Sequence, residues 1–292
     1  MVQPLGQTEV INGVTVDTSF MFANHKGEHK RRIEKRQRAL LEKVSEVKRF
    51  LQKDERVLLV STGCSPMSMM EQFLTGWMVY YMKRAVFVFT NKRILHIPST
   101  TGYKYRNSIA QIRYADCEVI RQKGHVMAVK FQGRGKEKFY YMGRAERKKI
   151  ASLAKTVSPD GAASATPARV HLCPRCGTLL TKGSYVCREC RLEFKDMATA
   201  KKLSVLLPGG GYFYAGRPVL GLMDAVTEII LIIMVIGGLL SAIEGSSEGM
   251  AMLITGGILL VFEKLMTIYH ASHFIKEYVP TDKDFTPRVA ET

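Results

Sequence analysis

The sequence predicts a multidomain chain: a β-rich unit closed by a helix, then a small cysteine-held ribbon, then an α-helical transmembrane hairpin. Three observations carry that expectation. Eight short apolar or aromatic runs lie between Arg56 and Met142, two Cys-x-x-Cys pairs stand ten residues apart, and long stretches nearly free of charge follow Gly221.

Charge and length set the frame. The chain has 292 residues, a formal net charge of +17 and 24% charged residues, long enough for two or three units with their own cores. Basic residues crowd the first two hundred positions, whereas the stretch from about Leu220 to Phe262 is almost purely apolar. That asymmetry reads as a basic soluble part followed by a membrane part. Met1 to Lys26 contains no continuous apolar run, so no secretory signal is expected and the soluble part is placed in the cytosol. Cysteine usage agrees: four of the six fall in the two pairs, while Cys64 and Cys117 stand alone. In a reducing compartment such pairs bind metal rather than cross-link.

Residues 1–27 are expected to form a loosely ordered tail. Over 28–53, Ile33, Gln37, Leu40, Val44, Val47 and Leu51 follow steps of four and three, the spacing of a basic amphipathic helix. Ten Lys or Arg against four Glu give that segment a charge of +6. Its apolar stripe is expected to pack on a neighbour. The alternative is attraction to anionic lipid, worth about 1 kcal/mol per nearby cation.

Residues 54–157 alternate apolar runs with turn residues. Strands are expected at Arg56–Ser61, Trp77–Met82, Ala85–Thr90, Ile94–Pro98, Ser108–Ile112, Cys117–Arg121, Val126–Phe131 and Lys138–Met142, with a closing helix over Arg144–Thr156. Such a pattern suits a small bent sheet or open barrel plugged by the helix. Phe73, Trp77, Tyr80 and Tyr81 are expected in its core; the membrane interface is the alternative, beside Lys83 and Arg84.

The run Val86-Phe87-Val88-Phe89-Thr90-Asn91-Lys92-Arg93-Ile94-Leu95, a strand, a tight turn and a strand, combines with that strand order and closing helix. Together they resemble the bacterial pleckstrin-homology-like domains over about a hundred residues, departing from them in Met67–Met82. The resemblance implies a scaffold for lipid headgroups or a protein partner rather than a catalytic fold, and a fold alone is a weak warrant for function.

Residues 158–170 are small and carry two prolines, which marks a linker and a domain boundary. In the ribbon, 171–194, Cys173-Pro174-Arg175-Cys176 and Cys187-Arg188-Glu189-Cys190 form two knuckles. Two residues between thiolates let one tight turn present both sulfurs, and two such turns supply the tetrahedral set that zinc accepts. Gly177 falls where the chain must turn back with positive φ. The spacing resembles the short zinc-ribbon family over roughly twenty-five residues. Four thiolates leave no open position, so a zinc ion here would be structural.

The membrane domain is expected over 195–278, with helices at about 219–243 and 249–275 around the polar turn Glu244–Gly249, and with 279–292 as a C-terminal tail. Gly221 to Ile243 holds 23 residues of which Asp224 and Glu228 alone are charged. That is about 34 Å of helix, enough for the hydrocarbon core. Lysine and arginine on the flanks and glutamate in the turn place both termini in the cytosol, as a multi-pass protein. Leu206-Leu207-Pro208-Gly209-Gly210-Gly211-Tyr212-Phe213-Tyr214-Ala215-Gly216-Arg217-Pro218, with Gly221, resembles the two-transmembrane (TM-two) domain family over about seventy residues. Residues 203–218 are too short to span and are expected to be interfacial or re-entrant.

Folding the hairpin near residue 246 sets Gly237 and Gly238 against Gly256 and Gly257, Glu228 level with Lys264, and Asp224 near His270. Arg217, Asp224, Glu228, Glu263, Lys264 and His270 then form a charge cluster, read as neutralised pairs; an ion or proton path is the alternative. No catalytic residues are expected, because no nucleophile, base and orienter stand together in the sequence. The reading is a non-enzymatic, integral membrane adaptor that takes zinc and binds anionic headgroups or an acidic protein, with self-association through the membrane helices open. Its rivals are a small transporter or lipid-moving protein using the membrane charges, and a tethered nucleic-acid binder, for which Tyr185 and Phe194 are thin support.

Overall fold

The computed structural model describes residues 7–76, 78–133, 135–157, 161–282 and 285–286. The chain divides into one unit of residues 1–192 with 283–292, and a second of 193–282.

In the first unit, Asn12 and Gly13 take φ values of +52° and +78°. This left-handed pair closes a two-residue hairpin between β1 (Thr8–Ile11) and β2 (Val14–Asp17). Asp17 accepts the Phe20 amide at 3.0 Å and starts α1 (Thr18–Met21). The expected loose tail is therefore corrected for its described residues: Val14, Val16 and Met21 are buried, and that burial holds the segment in place. The basic helix is α2 (Arg31–Lys43), shorter than 28–53 because Val44 leaves helical backbone at φ −123°. Ser45–Phe50 continues as a 3-10 turn. Gln37, Leu40, Leu41, Val44 and Val47 are all buried, so the sheet consumes the stripe.

β3 (Val57–Cys64) leads through α3 (Met69–Thr75) and α4 (Met78–Met82) to β4 (Arg84–Thr90), β5 (Arg93–Pro98) and β6 (Ile109–Arg113). Then come β7 (Cys117–Lys123), β8 (Val126–Phe131), β9 (Lys136–Phe139), α5 (Arg147–Thr156) and β10 (Val170–Leu172). Where a strand was expected at Trp77–Met82, the described residues are helical. Upstream, Ser68 and Glu71 form a reciprocal capping box that starts α3, and α4 follows as a separate short helix after Gly76, which leaves helical backbone at φ +55°.

Among the described residues, seven strands form one sheet in the order β1-β2-β3-β4-β5-β6-β10, and β7-β8-β9 form a second. Pairing in both is antiparallel except for the parallel β2–β3 contact at Val16 and Val57. Val86 and Val88 of β4 join a core with β1, β2 and α2, whereas Ala85, Phe87 and Phe89 join one with β8, β9 and α5. Burial on both faces explains why Ala85–Phe89 reads as a continuous apolar run.

The far edge of β3 is closed residue by residue. The Gln37 amide donates to the Val60 carbonyl and accepts from its N–H, both at 2.8 Å. The Gly143 N–H donates to the Thr62 carbonyl, and Cys64 and Tyr140 exchange backbone hydrogen bonds. A buried glutamine thus stands in for a neighbouring strand, since unpaired backbone groups there would cost free energy.

Lys149 of α5 is buried, donates to the Phe20 and Met21 carbonyls and lies 4.8 Å from the centre of the Phe20 ring. Burial pulls its ammonium down to about 8 from 10.5, against the opposing pull of Glu146 and Asp17. The folded state then binds fewer protons than the unfolded one between those two values, so stability must rise with pH across that window. Denaturant unfolding of the full chain in detergent should show this rise between pH 8 and 10.5, and Lys149→Met should flatten it.

The second unit runs α6 (Met197–Leu206), α7 (Gly210–Tyr214), α8 (Pro218–Ile243) and α9 (Ser247–Ile275). Lengths of 26 and 29 residues make α8 and α9 about 39 and 43 Å long. Both are long and apolar enough to cross a membrane. The 203–218 segment is the end of α6, a turn and α7. A Cβ on Gly221 would stand 2.8 Å from the Phe213 ring, and one on Gly209 would strike the Gly221 carbonyl. Gly209 therefore marks where backbone meets backbone and Gly221 where the Phe213 ring lies on the helix, and Gly209 also needs its φ of +67° to turn the chain. After α9, Phe194 and Pro280 bridge, with Lys195 bonded to Val279 and Thr281 to Glu193.

Candidate metal centre and charged helical network

Cys173, Cys176, Cys187 and Cys190 converge, with all four sulfurs within 4.8 Å of one another. Cys173 and Cys190 lie 3.5 Å apart, and Cys176 and Cys187 3.6 Å. A disulfide would need about 2.05 Å. Four sulfurs around one zinc at about 2.3 Å would sit about 3.8 Å apart, so the donor set fits a tetrahedral metal ion such as zinc.

The two knuckles repeat one backbone plan. Gly177 donates to the Cys173 carbonyl and Arg191 to the Cys187 carbonyl; Cys173 donates to Thr178 and Cys187 to Leu192. Gly177 turns back at φ +75° as its type suggests, and Arg191 does the same at +57°. Arg191 was not legible as a strained position by residue type; its place after the second cysteine of its pair was the available signal. Burial opposes ionisation of Cys176, but donation from the Thr178 hydroxyl and backbone outweighs it and brings the thiol down to about 7. The lone cysteines behave oppositely: burial pushes Cys64 up to about 11 and Cys117 up to about 12.

The cluster does not hang on a free linker. β10 runs directly into Cys173 and pairs with β6, Val170 opposite Gln111 and Leu172 opposite Ile109. Arg113 donates to the Ala162 carbonyl at 2.8 Å, and the Ser164 amide and hydroxyl both donate to Asp116. This corrects the linker expected over 158–170 for its described part. Small residues left the chain pliant, and the polar groups of Asp116 and Arg113 fasten it. The four-cysteine cluster accordingly belongs to the first unit.

A buried polar cluster escaped sequence reasoning altogether. The Ser65 hydroxyl and His96 Nε2 are 2.9 Å apart, while His96 Nδ1 faces the Arg169 guanidinium at 3.3 Å. Arg169 in turn binds Glu137 at 2.8 Å. A guanidinium can only donate, so Nδ1 accepts and Nε2 carries the proton toward Ser65. A serine nucleophile needs the reverse, and both residues are buried. This pair fastens the strand leading to Cys173 rather than activating a hydroxyl.

In the second unit, Glu228 is 3% exposed and forms an ion pair with Lys264. Lys264 also donates to the Ser204 carbonyl at 2.9 Å, and the Gly209 amide donates to Glu228 at 3.3 Å. One ion pair thus ties α6, the glycine turn, α8 and α9. Asp224 meets Thr267 at 2.9 Å, one helical turn before His270, and His270 meets the Tyr212 hydroxyl at 2.7 Å. The Thr267 hydroxyl also lies 2.8 Å from Glu263 and has one proton to share between the two carboxyls. Arg217 stacks over the Phe274 ring at 4.6 Å.

The glycine register differs from the expected one. A Cβ on Gly238 would meet Leu253 backbone at 2.6 Å, one on Gly256 would meet Met234, and Gly257 has open space. Gly237 lies near Met252. Gly238 therefore lies against the backbone of Leu253 and Gly249, and Gly237 and Gly256 against the methionines Met252 and Met234, instead of Gly237 and Gly238 facing Gly256 and Gly257.

Of the aromatic residues, Phe73 is 83% exposed, as is Met69 to 87%, and Tyr81 is exposed beneath the Arg84 guanidinium. Tyr80 is half-buried against Tyr141, ring centres 4.3 Å apart. The core placement is corrected for Phe73 and Tyr81; Trp77 lies outside the described residues. The helix that displays Phe73 is firmly held, since Glu71 pairs with Lys83 at 3.0 Å with both buried.

No family model matches the chain, and neither a curated protein nor a solved structure matches it.

Two outcomes follow from these geometries. Purified full chain should carry one equivalent of metal by elemental analysis, and Cys187→Ser should lose it while lowering the unfolding midpoint of the first unit. Lys264→Gln, which strands a buried carboxylate, should lower the thermal midpoint more than the double variant Glu228→Gln with Lys264→Gln. Equal losses in both would show that the pair is not the tie.

Proposed function

We propose that this protein is a non-enzymatic, membrane-anchored adaptor: α8 and α9 span the bilayer, both termini lie in the cytosol, and the β-rich unit binds lipid headgroups or a protein partner. One observation carries the anchoring. Only 11% of the most apolar window of each helix is buried within the protein, leaving residues such as Ile230, Ile233, Ile258 and Val261 facing outward. In water such a surface is unfavourable, whereas in lipid it is the expected arrangement. The cysteine cluster holds zinc as a structural ion in this reading.

Support for a pleckstrin-homology-like unit comes from β3–β6 and β7–β9 as two successive antiparallel meanders with α5 after them. Support for contact with headgroups comes from Met69, Met70 and Phe73, exposed on a helix pinned from below. Aromatic and sulfur-bearing side chains with cations beside them suit the interfacial layer.

A second reading has its own observation. Asp224, Glu228 and Glu263 bring carboxylate oxygens within 4.8 Å of one another on helices proposed to cross the membrane. Such groups mark ion or proton paths.

Topology can be tested in the full chain. A cysteine introduced as Ser246→Cys should react with a membrane-impermeant maleimide from the side opposite the cytosol, and one at Ser45→Cys only after permeabilisation of cells. Labelling of both from one side would sink the hairpin. Proton flux through liposomes that Glu263→Gln abolishes would favour the second reading over the adaptor.

A further inference from the structure

A cavity of about 440 Å³ opens between α2 and the start of α5. Its lining is sharply one-sided in charge. Arg32, Arg36, Arg144 and Lys149 bring four cations, against the single carboxylate of Glu146. Gln37, Leu59, Glu146 and Lys149 are buried and form its fixed part.

The one carboxylate is already committed. Arg36 binds Glu146 through Nε at 2.7 Å and Nη2 at 3.3 Å, and Gln37 is spent on Val60. Lys149 gives two of its three protons to the Phe20 and Met21 carbonyls. Arg32 and Arg144 pair with no carboxylate among the described residues. Arg36 is balanced by Glu146 and Lys149 feels Glu146 and Asp17, so the surplus positive charge at the opening is that of the exposed Arg32 and Arg144. The start of α5 lines the same cavity, and beyond its N-cap Glu146, which Arg36 already binds, the first turn holds no acidic residue.

We propose that this cavity binds a phosphate group, supplied by an anionic lipid headgroup or by a soluble phosphorylated molecule. Arg32 and Arg144 close on it from the rim, and Arg36 and Lys149 hold the positive floor. Guanidinium groups suit phosphate oxygens by matching paired N–H donors to paired acceptors. The location favours the lipid source. Along one edge of β3 come Val60, held by Gln37 in the cavity wall, then Thr62 beside Gly143, then Cys64 beside Tyr140. The next residue, Ser65, leads into α3 with its exposed Met69 and Phe73. Five residue steps of extended chain lead from Val60 to Ser65, about 17 Å, so a single lipid surface can reach both.

This rests on the headgroup reading of the β-rich unit and assigns its site. The test uses full chain in nanodiscs, read by hydrogen exchange of peptides covering 31–37, 69–75 and 144–149. Three conditions are compared: neutral phosphatidylcholine alone, the same with phosphatidylglycerol, and the neutral discs with inorganic pyrophosphate. Protection of 31–37 and 144–149 with phosphatidylglycerol is expected, and Arg32→Glu with Arg144→Glu should weaken it about tenfold in lipid concentration, equivalent to about 1.4 kcal/mol. Both arginines are exposed and pair with no carboxylate among the described residues, and an unchanged thermal midpoint checks that the variant folds. Protection by pyrophosphate alone would assign the cavity to a soluble phosphate. Protection of 69–75 without the other two peptides overturns the cavity but leaves the headgroup reading standing; protection nowhere overturns both.

Discussion

The Arg93 guanidinium is buried and cannot shed its proton, so every part of the first unit near it has to supply an acceptor. Glu55 takes two of its N–H groups, at 3.0 and 2.8 Å, while Gln111 and the Phe50 carbonyl take others. Thr90 adds its hydroxyl to the same carboxylate at 2.7 Å. The end of the 3-10 turn, the approach to β3, the β4–β5 turn and β6 are thereby fixed together. Removing either partner would strand a charge away from water, which costs about 3–5 kcal/mol. Only with that corner locked can β4 bury both faces, and both cores of the unit are laid against it.

Much of this was legible because it follows from periodicity. The runs at Ala85–Thr90, Ile94–Pro98 and Val126–Phe131 became β4, β5 and β8, and the cysteine spacing alone foretold the convergence of four sulfurs. The N-terminal hairpin was legible in principle from Asn12-Gly13 between alternating valines and isoleucine, but polar neighbours masked it. What sequence could not show were contacts between distant polar side chains. Gln37 completing a strand edge, Arg169 facing His96, and Arg36 joining Glu146 across more than a hundred residues leave no local pattern. The helix at Met78–Met82 was missed because aromatic content favours strands on average, and its own five residues carry no helix signal to set against that.

Both units solve the same problem in the same way. A backbone amide or carbonyl that secondary structure leaves unpaired is met by a buried side chain. Val60 is served by Gln37, and the Gly209 amide by Glu228, itself held by Lys264. In the second unit this explains the run of glycines more fully than flexibility does, because Gly209 and Gly221 bring the turn close enough for the amide to reach.

The attachment of β10 gives the cysteine cluster a role beyond its own few residues. The strand is three residues long, too short to hold its place by hydrogen bonds alone, and Cys173 anchors its end. Were the cluster to come apart, β6 would present a bare, apolar edge from Ile109 to Gln111. Such an edge is a template for a strand from another molecule, so loss of the cluster would show itself first as clustering of neighbouring chains, before any loss of helical content in the second unit.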